Sequence, residues 1–137
     1  MQPTLLLGLA TAALAAPGMD LMTAGWEIAC TKKNPNLAKA ITQFCSKTDI
    51  VAPSAYAHNG VTVGDSTAWI WPLDGCPTSW VPQHWCYAQF FGMCVKGDKN
   101  GYNMNWHTGN GGGPCQVWHT DTKGRHQVVC KGKNGCN

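Results

Sequence analysis

Residues 34–45 read NPNLAKAITQFC, and the rest of the chain is best read outward from them. Asn34 can cap a helix by accepting from a free backbone N–H, and Pro35 suits a first turn, where no N–H is needed. Leu37, Ala40, Ile41, Phe44 and Cys45 recur at i, i+3, i+4, i+7 and i+8, while Lys39, Gln43 and Lys47 fall off that stripe. The spacing predicts an amphipathic helix over residues 35–47 with one buried face. A second helix is expected over residues 82–95, opened by Pro82, with Cys86, Phe90, Met93 and Cys94 at i, i+4, i+7 and i+8. Two such stripes need a common surface to cover.

Segments on either side read as strands that supply it. In AGWEIACT, residues 24–31, Trp26, Ile28 and Cys30 alternate with Glu27 and Ala29, the pattern of a short half-buried strand. Val61–Val63 and Ala68–Trp71 read as two strands about Gly64-Asp65-Ser66, and Pro72 stops the second. Residues 116–120 and 125–130 read as a hairpin across residues 121–124. Residues 46–57 read as a connection, and residues 96–114, rich in Gly and Asn, as an irregular loop. The expected fold class is α+β, with two helices packed on one face of an antiparallel sheet in a ferredoxin-like split βαβ order.

Composition narrows the class of protein. With 137 residues the chain is long enough for one core, and only 12% of residues are charged, against ~25% in an ordinary soluble domain. No apolar run approaches the roughly 20 residues of a spanning helix, so low charge does not mean a membrane protein. Seven Trp, three Phe and three Tyr exclude a disordered chain. A formal charge of +3 is too mild to argue for a nucleic-acid partner. Leu5 to Leu14 forms a short apolar run ending in Ala13-Leu14-Ala15, which reads as a signal peptide over residues 1–15. Cleavage there leaves residues 16–137 as a single secreted, extracellular domain.

Secretion sets the meaning of the cysteines. Cys30, Cys45, Cys76, Cys86, Cys94, Cys115, Cys130 and Cys136 form an even set, read as four disulfides in an oxidising compartment. Zinc is the competing reading, but no C-x-x-C pair occurs and no His stands at finger spacing. Connectivity stays open, because eight cysteines allow 105 pairings.

Little in the chain reads as catalytic machinery. Glu27 is the lone glutamate, Gly-x-Ser-x-Gly is absent, and residues 109–113 lack the Lys-Ser/Thr that completes a phosphate cradle. No cofactor or metal site is expected. Among His58, His84, His107, His119 and His126, the pair His119 and His126 would lie on the expected C-terminal hairpin beside Arg125, an arrangement a secreted ribonuclease could use for acid–base work. Trp69, Trp71, Trp80 and Trp85 could stack on sugar rings, as in a carbohydrate-binding module, or fill the core. Lys123, Arg125, Lys131 and Lys133 make the C-terminal end basic and are the candidate binding surface.

Several short patterns occur together: Ala40-Ile41-x-x-Phe44-Cys45, Pro53-Ser54-x-Tyr56-Ala57-x-x-Gly60, Cys76-Pro77, Cys86-x-x-x-Phe90-x-x-x-Cys94 and, after a glycine-rich stretch, Cys115-Gln-Val-Trp118. From about Cys30 to Trp118 the chain resembles the small secreted cysteine-rich proteins of filamentous fungi, a group that includes candidate effectors and killer-toxin-like proteins. The resemblance implies a disulfide-braced α/β sandwich that acts without catalysis, by binding a protein or cell surface of a host or competitor. It implies no catalytic residue.

Overall fold

A computed structural model describes residues 19–72, 77–108 and 114–132, with backbone only at 72, 106–108, 114–115 and 128–132. The expected signal peptide, Cys76, Cys136 and Lys133 lie outside the described residues, as do the side chains of Cys115, Cys130 and Lys131. The elements in order are α1 (Leu21–Lys33), α2 (Pro35–Cys45), β1 (Val51–Ala52), α3 (Ala55–Asn59), β2 (Val61–Val63), β3 (Ser66–Pro72) and β4 (Ser79–Trp80). They are followed by α4 (Gln83–Lys96), β5 (Asn103–Thr108), β6 (Pro114–Thr122) and α5 (Lys123–Gly132). The fold is α+β. No helix among the described residues is long and apolar enough to cross a membrane.

The stripe on residues 34–45 does what its spacing predicts. The Asn34 side chain accepts from Leu37 N at 3.1 Å, and Leu37, Ile41, Phe44 and Cys45 are fully buried. Helix α4 presents Cys86, Phe90, Phe91 and Met93 to the same core. Phe44 meets Phe90 edge-on at 5.3 Å, and Phe90 meets Trp118 of the sheet at 4.6 Å. The Trp118 indole donates to Gln116 Oε1 at 2.9 Å, so its burial leaves no polar group stranded. Two disulfides tie the helices together: Cys30–Cys94 joins α1 to α4, and Cys45–Cys86 joins α2 to α4.

The main sheet is antiparallel with order β2-β3-β6-β5, and β1 pairs with β4 in a separate two-stranded ladder. Ala68 and Ile70 of β3 face the α2–α4 core, so the alternating Trp69 and Trp71 face the other side. That second face is covered by α5, whose His126 packs on Trp69 with ring centroids 4.5 Å apart.

Three expectations are corrected. Residues 24–31 are helix, not strand. Asp20 caps α1 by accepting from Thr23 N at 2.8 Å; Thr23 and Cys30, seven residues apart, point inward, while Ile28, which alternation would bury, is 49% exposed. The ferredoxin-like order, which needs a strand there, is thereby replaced by two hairpins, β2–β3 and β5–β6, joined through β3 and β6. Second, residues 125–130 are not the partner strand of 116–120. Both edges of β6 are already taken, by β3 and β5, so β6 has no free edge to offer the chain beyond Thr122. Thr122 Oγ1 accepts from Arg125 N at 3.1 Å and starts α5 instead. Third, the expected loop of residues 96–114 contains β5, which supplies one of those edges.

Candidate functional site

Two segments far apart in sequence form the walls of one groove of about 760 Å³. One wall is the turn after α4. Asp98 Oδ1 accepts from Asn100 N at 2.8 Å and Tyr102 N at 2.9 Å, and Gly101 takes φ 79°, open to glycine at no steric cost. Lys33 anchors this turn from α1: its ammonium donates to the carbonyls of Cys94, Val95, Gly97 and Asp98 at 2.7–3.2 Å. A cation at the exposed carbonyl end of α4 is favourable both as a hydrogen-bond donor and against the helix dipole. The other wall is the start of α5, where Arg125 Nε pairs with Asp121 Oδ2 at 3.2 Å.

His119 lies between the walls and rests on a layer of aromatic rings. Its imidazole stacks on fully buried Trp69 at 4.1 Å and 12°. His126 meets the same indole at 64°, and its Nε2 is 2.9 Å from the carbonyl of His58. Trp71 touches Trp69 at 5.4 Å and His58 at 5.1 Å. Burial, helped by His126 and Arg125 nearby, lowers the His119 pKa to about 4. Burial also lowers that of His126, against the opposing effects of the His58 carbonyl and Asp121. Asp121 is raised, because its desolvation outweighs its hydrogen bond from Thr122 and the attraction of Arg125. His119 and His126 are therefore uncharged at neutral pH.

His119, His126 and Arg125, expected on the two strands of one hairpin, lie instead on β6 and α5. They converge because α5 folds back over β6, not because they share a hairpin. The His119 pair partner sits on a helix, and Arg125 is engaged by Asp121 rather than left open to an anion. Lys123 is exposed on the first turn of α5, and its N–H donates to Asp65 O at 2.8 Å. Lys131 lies on the same helix. Trp69 is fully buried and Trp71 half-buried in the packed layer, whereas Trp80 and Trp85 are 56% and 52% exposed. Asp98, Tyr102 and Asp121 were not anticipated as groove residues. The Gly97-Asp98 and Asn100-Gly101 pairs carried the signal of a built turn, but not of what it faces.

Among the described residues, no three His, Cys, Asp or Glu side chains converge as metal ligands. Comparison with protein-family models, with curated proteins and with solved structures finds no match to this chain.

Proposed function

We propose that this is a secreted effector- or toxin-like protein that acts without catalysis, by binding a protein or cell surface of a host or competitor. The observation that carries the reading is the groove over His119. Its walls are the Asp98–Tyr102 turn and the basic start of α5, both held on a disulfide-tied scaffold. Irregular segments fixed on a rigid framework are where recognition commonly sits. Lys123 and Arg125 are exposed at the start of α5, and Lys131 and Lys133 follow in the sequence, so that in a chain with so few charges the C-terminal stretch is its most basic part.

Replacing all four by Gln should weaken attachment of fluorescently labelled protein to fungal and plant cells severalfold at low salt. The loss should shrink at high salt, where the attraction of the native protein is itself screened. Undiminished attachment at low salt would refute the reading. A second reading, secreted ribonuclease, is favoured by the convergence of His119, His126 and Arg125. RNA turnover by the pure protein that vanishes in His119→Ala and His126→Ala would replace binding with catalysis as the function.

A further inference from the structure

A second groove, of about 620 Å³, runs between α1 and α4 and shares no lining residue with the one over His119. Its floor is Trp26, which packs so close to α4 that a Cβ at Gly92 would stand only 3.3 Å from the ring. Met22 and Trp85 form its lips and are 62% and 52% exposed, an unusual place for two large apolar side chains. On α4 the lining residues His84, Ala88, Gly92 and Lys96 recur every fourth position, so the groove follows that helix for roughly 18 Å. The two ends differ in charge. Asp20 and His84 lie at one, and Lys96 at the other. The Lys96 ammonium sits 5.5 Å from the Trp26 ring centroid and has no carboxylate partner among the described residues, whose ion pairs are Lys47–Asp49 and Arg125–Asp121.

We propose that this groove binds a single-chain amphiphile of the fatty-acid class, its alkyl chain along Trp26 and its carboxylate on Lys96. Volume and apolar lining match a small-molecule site rather than a protein interface. Met22 and Met93 are the adaptable side chains that suit a flexible alkyl chain. Charge sets the direction: Lys96 attracts the head group, and the Asp20 carboxylate repels it from the far end. The inference is independent of the binding function assigned to the other groove.

The test uses the full secreted chain and cis-parinaric acid, whose fluorescence is excited by energy transfer from nearby tryptophans. The native protein should bind the probe, and palmitate should displace it more effectively than hexadecanol, which lacks the charge. Lys96→Gln should weaken palmitate about fivefold, as for a partly exposed ion pair, and abolish its advantage over the alcohol. Ala88→Phe should block the groove, with thermal unfolding confirming that each variant is folded. Absence of probe binding, equal competition by acid and alcohol, or an unchanged affinity in Lys96→Gln would each overturn the proposal. So would association confined to anionic phospholipid vesicles, which would make the exposed apolar lips a membrane contact.

Discussion

Acidification should loosen this fold before most of its carboxylates titrate, and His119 is the group to follow. In the unfolded chain its imidazole binds a proton near the ordinary histidine value of 6.5; stacked on Trp69 it does so only near pH 4. Between those values the unfolded state carries the proton and the folded state does not, so stability falls as pH falls through that window and levels off below it. The full shift corresponds to about 3 kcal/mol, and lowering the pH from about 7.5 to about 5 would realise about 2 kcal/mol of it. The ring keeps partial access to solvent, which makes that an upper figure. His126 adds a loss of the same sign, whereas Asp121, with its raised pKa, contributes in the opposite direction as pH falls. Comparison with a variant isolates the single ring: urea unfolding of the native protein and of His119→Gln would be followed at both pH values by tryptophan fluorescence. The native protein should lose more stability than the variant over the interval, the difference being His119 itself. Equal losses in the two proteins would refute the argument that burial on Trp69 holds this imidazole neutral.

Two further outcomes follow from the scaffold. Lys33→Met should cost on the order of 2 kcal/mol in urea unfolding at neutral pH, because it keeps the stem but strips a charged donor from four carbonyls at the end of α4. A cost within error of zero would mean that those carbonyls are served equally well by solvent. Replacing Cys45 and Cys86 together by Ala should cost about 4 kcal/mol on the loop-entropy view, given their separation of 41 residues, and should lower the thermal midpoint accordingly. An unchanged midpoint would show that packing of Phe44 on Phe90 already holds α2 to α4.

The parts of this fold that could be read directly are those whose pattern is local and long. Helix α2 carries its cap, its proline and three turns of stripe within twelve residues, and α4 carries a comparable repeat, so both were legible. The β2–β3 hairpin was legible for the same reason: its turn and its alternation lie side by side in the chain. Helix α1 was not. Eight residues of Trp, Ile and Cys at alternate positions satisfy a strand and a helix about equally, and the deciding cap, Asp20, stands outside that window. The C-terminal segment failed differently. Nothing within residues 125–130 tells whether β6 has an edge to offer, because that depends on β3 and β5 having taken both.

The candidate sites divide along the same line. Residue types were visible: the histidines, the basic end, the exposed tryptophans and the Gly/Asn turn all stood out as sequence. Which of them meet was set by packing over long separations. Trp69 became the seat of two imidazoles because β3 alternation turned it away from the helical core and α5 closed over it. Trp26 became the floor of a groove because Gly92, sixty-six residues later, has no side chain to keep it off. Spacing along a chain records the period of a helix or strand, and contacts between elements carry no period to be read.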